Sequence, residues 1–156
     1  MLLNTSAVAA FSHLKPYSNT TLTLESGTTA NESGGTYVAY CWAEIEGYSK
    51  FGSYVGNASA DGPFVYCGFK PAFVMTKRTD DTSNWFIFDS SRNSTNPNLA
   101  YLVPNTSDAE SSSGGDIDFL SNGFKIRTGN GACNTNSVKY HVMAWARAPF
   151  KYSRAR

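Results

Sequence analysis

The chain is poor in charged residues. Asp, Glu, Lys and Arg make up 16% of its 156 residues, against about a quarter in a typical soluble domain. The formal net charge is +1, and basic residues cluster only at Lys77-Arg78 and in the C-terminal tail, Lys151 to Arg156. Because phosphate binding needs clustered Lys and Arg, this composition argues against nucleic acid as the main partner.

Long apolar runs and metal-binding patterns are also missing. No run of 18 apolar residues is present, and Met1-Leu2-Leu3 is too short for the apolar region of a signal peptide. We therefore expect no membrane insertion. The two histidines, His13 and His141, lie in unrelated contexts, and there is no Cys-X-X-Cys or His-X-X-X-His spacing. The sequence accordingly predicts neither a metal site nor a cofactor.

Cysteine is scarce as well, with three residues in no recognisable disulfide framework. Cys41 and Cys67 lie within apolar, strand-like runs, where a free thiol behaves as a small buried hydrophobe. We predict that both are buried and unpaired. This cysteine usage is typical of a chain that folds in a reducing cytosol.

Small polar and aromatic residues take the place of charge. Ser, Thr, Asn and Gly together occupy 59 positions, and aromatic residues make up 14% of the chain. These residues predict a neutral surface rich in hydroxyl groups and flat rings. The length suits one globular domain, which would bury roughly 68–70% of its unfolded surface without a disulfide or a metal.

The hydrophobic pattern has a period of two along most of the chain, which indicates β-strands. Turn clusters such as Asp61-Gly62-Pro63 and Asn122-Gly123 separate the strands, and no segment predicts a helix of more than a turn or two. Many short strands with Gly/Asn turns predict an all-β fold, an antiparallel β-sandwich of jelly-roll-like arrangement. The predicted strands are 21–24, 35–42, 63–69, 73–77, 85–88, 117–120, 123–127 and 138–146.

The N-terminal part of the chain repeats part of the C-terminal part. Residues 22–27 resemble residues 124–129, and Tyr37–Ala43 resembles Tyr140–Ala146. We therefore divide the chain into a partial repeat, residues 1–46, and a β-sandwich domain, residues 47–156. A fragment of a repeat cannot usually bury its own apolar face, so its strands are expected to pair with the main domain or with a neighbouring subunit. The prediction is a homo-oligomer, a trimer by preference, with Tyr37, Tyr40 and Trp42 at its interface.

Three segments are candidate contact loops for a glycan, namely 47–54, 77–85 and 89–98. Aromatic faces stack on sugar rings, and Asn, Asp, Ser and Thr fix hydroxyl groups. The alternative is that the aromatic residues pack at strand ends and that the loop charges are merely solvated. The candidate ligand-binding residues are Tyr48, Tyr54, Arg78, Asp80, Asp81, Trp85 and Arg92.

Two pairs of acidic residues raise the question of catalysis. Glu44 and Glu46, and likewise Asp116 and Asp118, place two carboxylates on one strand face, as a glycoside hydrolase would require. The competing interpretation is a solvent-facing strand edge. Glu44 aligns with Arg147 in the internal repeat, which does not suit an acid that chemistry requires. We therefore expect a protein that is not an enzyme and has no catalytic residue.

Several long motifs resemble one known family. The motifs are residues 37–44, 47–54, 61–66, 118–125 and 149–156, and they are similar to the C-terminal domain of tailed-phage virion proteins, common in marine phages and usually labelled tail fibre or tail protein. The resemblance implies a structural or receptor-binding protein on the exterior of a phage particle, made in the host cytoplasm. Its implied partners are other virion proteins and a host surface glycan. A capsid decoration or head-fibre protein, or a tail adaptor, is the alternative, and a glycan-degrading tail enzyme is a weaker one.

Overall fold

The structure, a computed structural model, describes residues 20–21, 23–24, 31–113 and 116–148. Contacts divide these residues into two compact units. The described residues up to Trp42 belong to the first unit, and those from Ala43 onward belong to the second. Every strand described below lies in the second unit.

The regular secondary structure of the second unit is almost entirely antiparallel β-strand. A four-stranded sheet has the order β1-β7-β3-β4, and a three-stranded sheet has the order β2-β6-β5. One short helix, α1 (Gly131–Asn134), precedes the last strand. The strands are β1 (Ser49–Val55), β2 (Phe64–Tyr66), β3 (Pro71–Arg78), β4 (Trp85–Asp89), β5 (Ile117–Leu120), β6 (Gly123–Ile126) and β7 (Lys139–Ala146).

One hydrophobic core joins the two sheets. Alternate side chains turn inward most clearly along β5 and β7, as the period-two pattern requires. The ring of Tyr54 in β1 stacks on Tyr140 in β7 at a centroid distance of 5.1 Å and meets Phe124 of the other sheet edge-on at 6.4 Å. Burial of each large apolar side chain contributes about 1.5–3 kcal/mol. The core includes Val74, Phe88, Val142 and Ala144 from the first sheet and Ile117, Phe119, Phe124 and Ile126 from the second.

The predicted antiparallel, all-β sandwich is therefore confirmed, whereas its jelly-roll arrangement stays a prediction. The strands predicted from Pro63 onward all have counterparts in the structure. The turn at Ser121-Asn122 closes a tight hairpin in which Leu120 pairs with Gly123. A Cβ atom at Gly123 would lie 2.1 Å from the carbonyl oxygen of Val65, so the close approach of β2 to β6 requires glycine here.

Three predictions about strands, loops and cysteine burial that lie wholly within the described residues are wrong. The described residues 35–42 form no strand. An alternating sequence pattern makes a strand only where a neighbouring strand supplies hydrogen bonds, and no described strand pairs with this segment. Residues 49–54 belong to β1 and are not a loop, since pairing with β7 overrides their glycine and serine content. Cys41 is exposed, whereas the predicted burial of Cys67 is confirmed.

Other predictions fall outside the described residues. They include Leu22 of the predicted strand 21–24, most of the repeat at 22–27, and the basic tail from Lys151 to Arg156. The described residues of 21–24 form no strand beyond a single bridge residue, Leu24.

Candidate functional site

The Arg78 cluster ties together the loop between β3 and β4. The guanidinium of Arg78 donates from Nε to Asp80 Oδ1 at 2.6 Å and from Nη2 to Asp80 Oδ2 at 3.1 Å. Its Nη1 also donates to Thr135 Oγ1 at 3.3 Å. The hydrogen bond from Arg78 lowers the pKa of Asp80. Asp81 accepts from the backbone N–H of Thr82 at 2.7 Å, so these predicted ligand-binding groups already have partners within the loop.

Arg92 holds the loop after β4 through hydrogen bonds to two acidic residues and one backbone carbonyl. Its Nε donates to Asp89, its Nη1 donates to Glu110 Oε2 at 2.6 Å, and its Nη2 donates to the carbonyl of Ile87 at 3.3 Å. Asp89 also accepts from the backbone N–H of Arg92 at 2.8 Å. Arg92 therefore fastens two loops to the end of β4, which is a structural task.

The three aromatic residues predicted to contact a glycan, Tyr48, Tyr54 and Trp85, lie in different parts of the structure. Tyr54 and Trp85 are 7% and 1% exposed, and the hydroxyl of Tyr54 donates to the carbonyl of Cys133 at 2.7 Å. Both rings belong to the packed interior, which corrects their placement on a ligand-contacting surface. Tyr48 is half-buried in the turn before β1. The structure does not bring the predicted residues together in one site.

A cleft lies at the side of the sandwich where β1 and β2 are the outermost strands. Its volume is about 380 Å³, which is within the usual range for small-molecule sites. Two chain segments form it, the turn that enters β1 and the connection that leaves β2. Its lining residues are Glu44, Ile45, Glu46, Ser49, Lys50, Tyr66, Cys67 and Gly68.

The turn that enters β1 is held by both backbone and side-chain hydrogen bonds. Ile45 and Ser49 exchange backbone hydrogen bonds of 3.2 and 2.9 Å, and Gly47 between them adopts a φ of 73°, which few other residues tolerate. The hydroxyl of Ser49 accepts from the N–H of Ile45 at 3.1 Å and donates to the carbonyl of Ala43 at 2.8 Å. The cleft therefore has one rigid wall.

The opposite wall carries an exposed aromatic surface. Phe64 and Tyr66 are alternate residues of β2, so they share a face of the strand, and they are 45% and 63% exposed. The strand ends at Tyr66, and Gly68, with a φ of 81°, turns the chain toward β3. An edge strand of three residues thus presents a tyrosine ring beside the acidic wall of the cleft.

Two of the charges in the cleft form an ion pair. Lys50 Nζ lies 2.6 Å from Glu44 Oε1, and this hydrogen bond lowers the pKa of Glu44. Cys67 behaves differently, because burial raises the pKa of its thiol to about 11 even though Lys50 opposes the shift. The thiol is therefore neutral at physiological pH and is a poor nucleophile.

The arrangement suits recognition of a polyol better than catalysis. A flat ring, a carboxylate, an ammonium group and a second carboxylate from Glu46 surround a space of small-molecule size, which permits stacking together with hydrogen bonds to hydroxyl groups. A general acid needs a raised pKa, and Glu44 has a lowered one. The other acidic pair is elsewhere, since Asp118 lies on β5 at the far edge of the three-stranded sheet and contacts Arg127 at 3.3 Å.

The sequence indicates Glu44 and Glu46 only as candidate catalysts, and it does not single out Lys50 or Tyr66. One local signal was present. The segment Phe64-Val65-Tyr66 is apolar on both faces, with two aromatic residues on one face and a valine on the other. A three-residue strand of this kind at a sheet edge exposes one of these apolar faces.

Two kinds of site are absent from the described residues. No group of three or more His, Cys, Asp and Glu residues is placed to hold a metal ion. No helix in this part of the chain is long and apolar enough to cross a membrane.

Comparison with known proteins identifies a family without assigning an activity. Residues 1–149 match the family described as "Domain of unknown function (DUF7483)". No curated protein and no solved structure matches the chain significantly.

Proposed function

We propose that this chain, which belongs to the DUF7483 family of domains of unknown function, is a non-enzymatic, glycan-binding protein of the exterior of a phage particle. Its binding site is the cleft between the turn that enters β1 and the end of β2. The composition supports this assignment, since the chain is rich in hydroxyl and amide groups and poor in net charge. The assignment to a phage particle rests on the resemblance to tail fibre proteins described above.

The observation that carries the proposal is the exposed ring of Tyr66 beside the Glu44–Lys50 ion pair. A solvated tyrosine ring at the mouth of a cleft offers apolar area to the C–H face of a sugar, and the adjacent charges accept and donate hydrogen bonds. The ion pair also fixes its two side chains before a ligand arrives. Such preorganisation lowers the entropic cost of binding.

The absence of catalysis is proposed on the same geometry. Hydrolysis of a glycoside requires one carboxyl group that is protonated at the working pH and a second that is ionised. Lys50 holds Glu44 ionised, and the neutral Cys67 thiol supplies no nucleophile. The cleft therefore retains its ligand unchanged.

A glycan array followed by titration calorimetry tests the proposal. The wild-type protein is expected to bind a subset of glycans, and Tyr66→Ala is expected to weaken binding about tenfold, because an aromatic stacking contact contributes about 0.5–1.5 kcal/mol beyond its buried area. Tyr66→Phe keeps the ring and should retain most of the affinity. Leu99→Ala, a truncation of an exposed side chain away from the cleft, is the matched control.

Two other measurements test the rest of the proposal. Incubation with the bound glycan should release no reducing sugar, and release that is lost in Glu44→Gln would show an enzyme instead. Immunogold electron microscopy of intact particles should place the protein at the tail tip. Labelling over the whole capsid would favour a decoration protein, and an absence of label would remove the virion assignment.

A further inference from the structure

Strand β1 has an open edge, defined here as the side of residues 53–55 that faces away from β7. Among the residues that the structure describes, β7 is the only strand hydrogen-bonded to β1. Gly56 N–H donates to the carbonyl of Val138 at 2.8 Å, and the carbonyl of Tyr48 accepts from Ala146 N–H at 2.8 Å. Even-numbered residues of β1 therefore bond to β7, and the backbone groups of Ser53 and Val55 point the other way.

The other end of this edge is already closed by the chain itself. Ile45 pairs with Ser49, but the next rung of that hairpin is replaced by two side-chain hydrogen bonds. The Ser49 hydroxyl donates to the carbonyl of Ala43 at 2.8 Å, and Glu44 Oε2 accepts from the N–H of Phe51 at 3.5 Å. The preceding chain thus caps the edge as far as Phe51 and leaves the rest open.

The other three outer strands are less available. Leu102 bridges to Ile87 in β4, and Asn98 bridges to Ile117 in β5. Strand β2 has three residues and forms a wall of the cleft. Among the outer strands of the described sandwich, β1 therefore offers at residues 53–55 an unpaired edge that neither a bridge nor the cleft occupies.

A segment suited to this edge lies in the first unit. Residues 36–41 form no strand, although their aromatic and β-branched side chains favour one. Val38 and Tyr40 are 78% and 72% exposed, and the segment carries no charge. Its sequence resembles that of β7, which already pairs with β1 along the opposite edge.

We propose that residues 36–41 of a second copy of the chain add to the open edge of β1 as an antiparallel strand. The addition extends the four-stranded sheet by one strand, pairs the backbone groups of Ser53 and Val55, and covers Val38 and Tyr40. Strands of similar sequence on the two edges of β1 present similar side chains to it, which explains why a copy of this chain is the partner. This association goes beyond glycan binding and does not depend on it.

Proline substitution tests the proposal in the accepting strand β1 and in the added segment 36–41. Ser53→Pro removes an N–H that makes no bond to β7, and proline is tolerated at sheet edges. Tyr40→Pro disrupts the added strand at a residue that lies outside the seven strands and is 72% exposed. Light scattering and sedimentation should show an oligomer for the wild type and for the exposed-loop control Ala109→Pro. Each test variant should raise the dissociation constant at least about tenfold.

Crosslinking identifies the contact directly. The native Cys41 thiol is exposed, so a short bismaleimide should link it to the introduced thiol of Ser53→Cys in another molecule, and Cys41→Ser should abolish that product. A wild-type protein that stays monomeric at high micromolar concentration would overturn the proposal, as would an oligomer unaffected by both proline variants. A monomer that still binds glycan would refute this inference alone and would leave the proposed function standing.

Discussion

Asn134 is the residue whose substitution tests the packing of the sandwich most sharply. The side chain is fully buried at the end of α1. Its Oδ1 accepts from the N–H of Asn57 at 2.8 Å, and its Nδ2 lies 2.8 Å from the carbonyl oxygens of both Ser59 and Thr128. One amide thus holds together the loop after β1, the segment after β6, and the helix before β7.

Asn134→Asp keeps the shape of the side chain and replaces the amide donor by an oxygen. Two carbonyl oxygens then face a carboxylate with no proton between them, and the free energy of unfolding should fall by about 3–5 kcal/mol at neutral pH. That is a large part of the 5–15 kcal/mol that stabilises a typical domain.

The sign of the pH dependence follows from the same contacts. Burial and the neighbouring oxygens should raise the pKa of the introduced carboxyl above its unfolded value of about 3.9. The protonated form retains one donor, so the penalty should be smallest below about pH 4. It should grow as the pH rises from the unfolded pKa through the folded one.

Urea unfolding followed by tryptophan fluorescence at several pH values measures this penalty. Asn136→Asp changes an exposed residue two positions away and should stay within about 0.5 kcal/mol of the wild type. A loss below about 1 kcal/mol for Asn134→Asp at neutral pH, or a loss independent of pH, would refute the reasoning.

Three other outcomes are expected. Gly123→Ala should destabilise the fold by more than about 2 kcal/mol, because its Cβ atom would lie 2.1 Å from a backbone oxygen. The control Gly52→Ala, whose Cβ atom would have nothing within 4 Å, should be nearly neutral. Equal unfolding midpoints for the two variants would contradict this. Burial opposes ionisation of Asp89, but its hydrogen bonds with Arg92 outweigh it and lower its pKa. Asp89→Asn should therefore cost about 1–2 kcal/mol at neutral pH and flatten the loss of stability as the pH falls through the carboxyl range, and an unchanged acid limb would count against it. A thiol reagent should modify Cys41 alone in the native protein and all three cysteines in denaturant, so a native count other than one would be inconsistent with the described burial.

The strands with a strong period-two pattern could be predicted from the sequence because each carries its own apolar stripe. Strand β7, Lys139–Ala146, is an example, since alternate residues from Tyr140 onward fill the core. Residues 37–42 have a similar sequence and form no strand. The difference is the presence of neighbouring strands, and a local pattern cannot report that.

The cleft could not be predicted for a similar reason. Glu44 and Lys50 come from one segment and Tyr66 from another, and the sandwich brings them together across its open side. The predicted loop residues Arg78 and Arg92 proved to be partners of acids within their own loops. Composition indicates which polar groups a surface carries, but it does not tell which of them are already hydrogen-bonded within the fold.

Calorimetric titration of one array-positive glycan into the wild type and into Tyr66→Ala tests the central claim most directly. If the cleft between β1 and β2 is the binding site, the dissociation constant should rise about tenfold in the variant, with the unfolding midpoint unchanged. Equal affinities for the two folded proteins would show that the glycan is bound elsewhere and would contradict the account.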